Sequence, residues 1–304
     1  MNRNLNGIII VDKEPDFTSA DVVAKMRGIC GQRKIGHTGT LDPAATGVLP
    51  VCLGNGTKLC DMLTDQDKEY VAELLLGVET DTQDTTGQVL AERPVEVSEE
   101  EVRAVCMSFV GDYSQVPPMY SALKVNGRRL YELAREGKEV ERKARPVVIR
   151  ELEILELGLS VVKMRVVCSK GTYIRTLCAD IGEKLGCGGT MQSLRRTRAG
   201  MFCLDQAFTL GQLQELKDAG RLTESLLPVE SCFQDYPVLH VSAEAVRLLE
   251  NGNAIYPGQT CEKQVHGVRE WVRFHRPDES FAGIYAYDET EKRYKPVKMF
   301  LEKE

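Results

Sequence analysis

Fourteen consecutive residues constrain this chain more than any other stretch. They read Gly36-His37-Thr38-Gly39-Thr40-Leu41-Asp42-Pro43-Ala44-Ala45-Thr46-Gly47-Val48-Leu49, with three glycines, one histidine and one carboxylate. Glycine permits positive φ and lets another group approach the backbone closely. Pro43 fixes its own φ and biases Asp42 toward an extended backbone. The segment therefore reads as a loop that holds a single carboxylate in a defined place. Taken alone, Asp42 fits two readings: a turn carboxylate that bonds neighbouring backbone amides, or the reactive group of a site.

The 304 residues suit one large domain with a small one, or two medium domains. A composition of 42% hydrophobic and 28% charged residues reads as soluble and globular. No apolar run approaches the roughly 20 residues of a membrane-spanning helix. The opening Met1-Asn2-Arg3-Asn4-Leu5-Asn6-Gly7 lacks a charged lead into a long apolar core, so no secretory signal and a cytoplasmic location are expected. The ten cysteines include no Cys-x-x-Cys pair; the closest spacings are Cys52 to Cys60, Cys178 to Cys187 and Cys168 to Cys178. With only four histidines (His37, His240, His266, His275), a Cys/His metal site is not expected. The cysteines read instead as reduced thiols, several of them buried.

The net charge of −6 speaks against nucleic acid as a partner, but the distribution does not. Residues 64–101 carry 12 acids and 2 bases, residues 120–150 carry 9 bases and 4 acids, and residues 160–200 carry 8 bases and 2 acids. The basic segments fit ordinary solvated faces, or a surface that tracks a phosphate backbone.

Gly7 to Asp12 predicts a buried strand. Thr18-Ser19-Ala20-Asp21 predicts a capping box, with Val22, Val23 and Met26 on the apolar face of the helix that follows. Further expectations are a strand from Tyr70 to Gly77, a helix starting at Ser98, a tight turn at Asn126-Gly127 and helical spacing from Arg128 to Glu136. Val147 to Leu157 and Val161 to Cys168 predict a strand pair, and a helix is expected from Gly171-Thr172 to Gly186. Past a boundary near Ser231 to Pro237, short strands are expected at Val238 to Ser242, Gly267 to Phe274, Phe281 to Tyr287 and Tyr294 to Leu301. The whole predicts a mixed α and β domain with a C-terminal β appendage.

Two motif readings fail on spacing. Gly54-Asn55-Gly56-Thr57-Lys58 has the wrong order for a Walker phosphate loop. Asp81-Thr82-Gln83-Asp84-Thr85-Thr86-Gly87 has the wrong acid spacing for a calcium loop and reads as an acidic turn. His37 has no nucleophile elbow around it, and a lone histidine is more often structural. Three segments favour chemistry at Asp42. Tyr70, in Lys68-Glu69-Tyr70-Val71, offers either a core ring or a stacking face for a base. Arg175, in Ser169-Lys170-Gly171-Thr172-Tyr173-Ile174-Arg175, falls in the first turn of a helix, where the dipole opposes a cation; that placement invites a buried acidic partner. Gln115 to Gly127 joins a diproline to a basic arm.

Together with Asp12-Lys13, Asp67-Lys68-Glu69-Tyr70 and Leu194-Arg195-Arg196-Thr197, these segments resemble, in order, the motifs of the TruB family of tRNA pseudouridine synthases over roughly the first 200 residues. The first motif departs from the family's Lys-Pro-x-Gly-x-Thr-Ser, because Asp16 stands at the glycine; Asp tolerates a left-handed backbone better than most residues. The family's Gly-x-Ala-Thr-Lys is here Gly54-Asn55-Gly56-Thr57-Lys58.

The resemblance implies an α+β pseudouridine synthase fold, with a mixed, mainly antiparallel central sheet flanked by helices. It places a catalytic domain at 1–232, with a basic RNA-clamping insertion at about 124–150, and a small β-rich PUA-like RNA-binding domain at 237–304. The implied reaction isomerises uridine 55 in the T-loop of tRNA, by flipping the base and re-forming the glycosidic bond to carbon. Asp42 would be the catalytic aspartate, Tyr70 would stack on the base and support proton transfer, and Arg175 would pair with Asp42. Lys13 and Leu194 would line the pocket, and His37 would lie against the RNA. No metal, cofactor, membrane or obligatory protein partner is implied, and a monomer acting on the T-arm is expected. Two other classes compete with the enzyme: an RNA-folding factor using the same pocket, and a nucleotide hydrolase, which the failed Walker spacing disfavours.

Overall fold

The apolar run near the N-terminus forms strand β1 (Gly7–Lys13) in a computed structural model that describes residues 4–125, 127–267 and 270–301. Parts of four expectations lie outside the described residues. They are the first three residues of the stretch read for a secretory signal, Asn126 of the tight turn, Val268 and Arg269 of the strand expected from Gly267, and the last three residues of the C-terminal domain. The other strands of the first half are β2 (Ile35–His37), β3 (Thr46–Leu53), β4 (Lys68–Leu76), β5 (Val78–Thr80), β6 (Val89–Glu92), β7 (Gly111–Gln115), β8 (Lys124–Val125) and β9 (Arg128–Arg129). The second half adds β10 (Arg145–Leu157), β11 (Val161–Cys168), β12 (Gly189–Ala199), β13 (Phe202–Cys203), β14 (Val238–His240), β15 (Trp271–His275), β16 (Phe281–Asp288) and β17 (Arg293–Met299). The helices are α1 (Ser19–Cys30), α2 (Cys60–Thr64), α3 (Glu99–Met107), α4 (Leu130–Arg135), α5 (Ile174–Leu185), α6 (Leu210–Asp218) and α7 (Val246–Glu250).

Nine strands form one sheet in the order β1-β3-β12-β4-β11-β10-β7, with β2 on β3 and β13 on β12. Every ladder in it is antiparallel except β3 with β12. The expected α+β class with a mixed, mainly antiparallel sheet is the observed one.

Period-two alternation decides what each face covers. Ile9 and Val11 of β1 face Leu49, Val51 and Leu53 of β3 under α1 and α6. Ile8, Ile10, Val48 and Cys52 pack on the opposite face. Both faces being covered explains the continuous apolar runs in β1 and β3. The even residues of β4 (Tyr70, Ala72, Leu74, Leu76) and of β11 pack on α5 and α3. Thr18 caps α1 reciprocally with Asp21, as expected, and Ser98 does the same for α3 with Glu101; such a cap stabilises a helix by about 1 kcal/mol. Asp16 takes φ +66°, so it supplies the left-handed turn where the related motif has glycine.

Three expectations shift. The fourteen-residue loop shortens to 38–45, because His37 belongs to β2 and Thr46–Leu53 is β3. Strand β12, rich in arginine, has no alternating apolar pattern and was not expected; tertiary partners for its guanidinium groups make it possible. Gly54–Leu59 is a 3-10 turn whose Asn55 side chain donates to the carbonyls of Phe300 and Leu301, so this glycine-rich segment fastens the C-terminal strand.

Beyond residue 237 a four-stranded sheet, β14-β15-β16-β17, has its own core of Leu239, Val241, Val272, Phe274, Tyr285 and Tyr294. Phe233, Ile284 and Phe300 pack it against Ile8, Ile10 and Val48 of the large sheet. All ten cysteines are free, and Cys52, Cys106, Cys168, Cys178 and Cys187 are buried.

Candidate active site

The site forms where the two halves of the large sheet join. Strand β12 runs antiparallel to β4, with Arg196 opposite Tyr70, and parallel to β3, with Arg196 opposite Gly47. Gly47 has φ +103°, and a Cβ built on it would lie 2.2 Å from the Arg196 carbonyl oxygen. Only glycine allows this approach. The crossing fixes where the 38–45 loop leaves the sheet, and Asp42 lies on that loop. Register shifts in β12 at Met191/Ser193 and Arg196/Arg198 re-aim its side chains on either side of the crossing.

Arg175 reaches Asp42 from the first turn of α5. Its Nε lies 2.8 Å from Asp42 Oδ2, and its Nη2 lies 3.2 Å from Oδ1. Nη2 also donates to the Tyr120 carbonyl at 2.8 Å, and Nη1 to the Thr82 carbonyl at 2.9 Å. Arg175 is thus fully engaged and buried, whereas the Asp42 side chain keeps 38% of its surface exposed. One carboxylate is held by a planar fork and still faces solvent. The helix start that carries Arg175 is itself positioned. Buried Gln115 accepts from the Tyr173 N–H at 2.8 Å and donates to the Tyr173 carbonyl at 2.9 Å.

Tyr70 and Leu194 meet in the core cluster that also holds Leu41 and Ala45, on either side of Asp42 in sequence. Burial pushes the Tyr70 phenol above its usual range, and the adjacent Arg196 guanidinium partly opposes this. Lys13 is fully buried beneath the loop rather than open to a cavity. Its ammonium donates to the carbonyls of Glu14, Phe17 and Pro43 at 3.0, 2.6 and 2.9 Å, so it holds the residue next to Asp42. Burial lowers Lys13 to about 8. His37 sits on β2 with its buried Nδ1 unpartnered. Burial lowers its pKa, which favours the neutral ring.

Sequence reasoning missed four contributors. Arg196 is almost wholly buried and donates to the carbonyls of Val48 and Gly39. Lys68 is buried, donates to Thr64 and Gln66, and is lowered to about 8 by burial. Asp84, in the acidic turn, lies 3.8 Å from Arg175. Gln115 is the fourth. Lys68 and Arg196 stand in segments that already carry other charged residues, Asp84 in an acidic turn and Gln115 at a strand end, and nothing local distinguishes them from solvated positions. Lys13, Lys68, Arg175 and Arg196 are thus four buried cations around the loop, balanced mainly by backbone carbonyls.

The TruB family pseudouridylate synthase N-terminal domain matches residues 27–174, and the tRNA pseudouridylate synthase B C-terminal domain matches 175–234. The tRNA pseudouridine synthase B of Lachnoclostridium phytofermentans is 50% identical over 307 residues, covering 98% of this chain and all of that protein. The chain belongs to the TruB family of pseudouridine synthases. The same-named protein of Alkaliphilus oremlandii is 44% identical, covering 99% of this chain and 100% of its own length. A chain of the Cbf5–Nop10–Gar1 complex superposes with a TM-score of 0.72 at 27% identity, over 97% of this chain and 85% of that one. A chain of an H/ACA RNP bound to a substrate RNA containing 2'-deoxyuridine does so with a TM-score of 0.72 at 25% identity, with the same coverage. As a member of the TruB family the chain is an enzyme of the pseudouridine synthase class.

Proposed function

We propose that the chain isomerises uridine to pseudouridine at position 55 in the T-loop of tRNA, with Asp42 as the catalytic carboxylate. The observation that carries this reading is the Asp42–Arg175 pair, in which both carboxylate oxygens are held while the side chain stays solvent-facing. The reaction breaks the bond from N1 of uracil to C1′ and forms one from C5 to C1′; C5 loses its hydrogen and N1 gains one. The base must first leave the RNA stack, at a cost of a few kcal/mol. Tyr70 offers it an aromatic face and Leu194 an apolar wall. Asp42 acts from the place where the Arg175 fork holds both its oxygens. Lys13 and Arg196 position the loop, and neutral His37 faces the RNA beside the extruded nucleotide.

The chain divides into a catalytic domain at 1–232 and a PUA-like RNA-binding domain at 237–304. The basic insertion at 124–150 grips the phosphate backbone of the T-arm, and a monomer suffices. In support, Lys124, Lys143 and Arg145 are exposed on this segment.

The test incubates purified protein with an unmodified tRNA transcript and maps pseudouridine by carbodiimide-blocked primer extension, with Asp42→Ala in parallel. One new stop in the T-loop, lost in Asp42→Ala while tRNA binding persists, is expected. Stops at other uridines would replace the substrate assignment. Turnover by Asp42→Ala would overturn the role given to Asp42.

A further inference from the structure

The C-terminal sheet gathers two histidines and a glutamate that play no part in the proposed chemistry. Strands β14 and β15 pair in parallel with His240 opposite His275, and the two rings lie 5.5 Å apart. A register shift between Phe274 and His275 marks a bulge at that point. Each imidazole has a carboxylate on one nitrogen. Glu262 lies 2.6 Å from His240 Nδ1 and also accepts the His240 backbone N–H. Glu230, itself held by Arg273, lies 2.8 Å from His275 Nε2.

That leaves His240 Nε2 and His275 Nδ1. The first is 2.9 Å from Glu279 Oε2. The second is buried without a partner, on a side chain only 9% exposed. One ligand atom from each of His240, His275 and Glu279 lies within 4.8 Å of the others.

A hydrogen-bond network alone explains His240. It does not explain a buried imidazole nitrogen left unsatisfied beside a carboxylate and a second ring, since buried polar atoms are normally paired. Histidines that bind a metal characteristically give their other nitrogen to a carboxylate, which fixes tautomer and ring orientation. Both histidines here carry that outer partner. The geometry points to a divalent transition-metal site of the Zn²⁺ type, with His240 Nε2, His275 Nδ1 and a Glu279 oxygen as ligands and a fourth position for water. Two imidazoles and one carboxylate match zinc's preferences. Tetrahedral zinc needs its ligand atoms about 3.4 Å apart. Glu279, 77% exposed at the β15–β16 turn, is the least packed of the three, and the rings close the remaining distance by side-chain rotation on binding. A bound ion would clip edge strand β14 to the β15–β16 hairpin. The sequence-based expectation of no metal site uses cysteine spacing and histidine count, and neither registers ligands brought together by a parallel pairing.

The test uses the untagged full-length protein, stripped with a chelator and titrated with Zn²⁺ alone by calorimetry, and with Co²⁺ followed by visible absorption. One ion per chain, tetrahedral-type Co²⁺ bands and a raised Tm are expected. Glu279→Gln, at an exposed position outside the core, should weaken binding at least tenfold, and His275→Gln should remove the Co²⁺ bands. Absence of stoichiometric binding, or binding that neither substitution changes, overturns the proposal and leaves the cluster as a hydrogen-bond network. The readout is metal binding and not turnover, so this result stands apart from the test of Asp42.

Discussion

Replacing Arg175 with lysine keeps the charge and removes the fork. The guanidinium serves four acceptors at once: both Asp42 oxygens and the carbonyls of Thr82 and Tyr120. A lysine ammonium has three donors on one atom and cannot span them. At least one hydrogen bond to a charged group or one buried carbonyl is lost, worth about 1.5–3 kcal/mol. Asp42 is partly exposed, so solvent screens part of the ionic attraction, and the low half of that range applies to stability. For catalysis the relevant loss is orientation, and a carboxylate displaced by about 1 Å can lower the rate on the order of 100-fold. Arg175→Lys is therefore expected to fold and to bind tRNA within a few-fold of the original, while kcat falls about 10–100-fold. The assay follows tritium released from tRNA labelled at C5 of uridine, since that hydrogen must leave when the new bond forms. Thermal unfolding and filter binding are run alongside. A kcat within threefold of the original, with a normal Tm, would refute the claim that the fork sets the Asp42 geometry.

Other substitutions probe the surroundings. Gly47→Ala should destabilise by about 2–5 kcal/mol through overlap with the Arg196 carbonyl and strain at φ +103°, lowering Tm by roughly 5–15 °C; a change under 2 °C would remove the close-approach argument. Lys13 falls from 10.5 to about 8 on folding, so between those pH values the unfolded chain holds more protons and stability rises with pH. The stability of the original protein relative to Lys13→Met should thus increase from pH 8 toward pH 10, and a pH-independent difference in chemical denaturation would contradict the buried ammonium. Lys124, Lys143 and Arg145 make no ion pair among the described residues. Their joint replacement by alanine should lower the slope of log affinity for tRNA against log salt by about 2–3. An unchanged slope would remove this segment from the RNA-binding surface.

Much of the fold was legible because local rules and tertiary demands agree. Strand β1, the capping box of α1, the start of α3 after Ser98, the β10–β11 pair and the end of α5 at Gly186 all rest on patterns within about a dozen residues. Asp42 and Arg175 were legible as candidates because one is the lone carboxylate of a glycine-rich loop and the other a cation in the first turn of a helix; Tyr70 was a candidate through the short motif around it. Strand β12 was not, because alternation with arginines looks like a solvated surface until Val48, Gly39 and Asp12 are seen to receive those guanidinium groups. Lys13 was a candidate by resemblance alone, and its contact with the Pro43 carbonyl was not legible.

The sequence by itself determined which segments alternate, where helices start, and that one loop carries one carboxylate beside glycines and a proline. Those are properties of neighbours in the chain, set by sterics and by period. The tertiary structure joins residues 133 positions apart in the Asp42–Arg175 pair, which only the resemblance, and no local pattern, had implied. It alone placed buried cations beneath the loop and brought His240 beside His275. Each of these depends on strand order and register, and register is fixed by how whole faces pack rather than by any local signal.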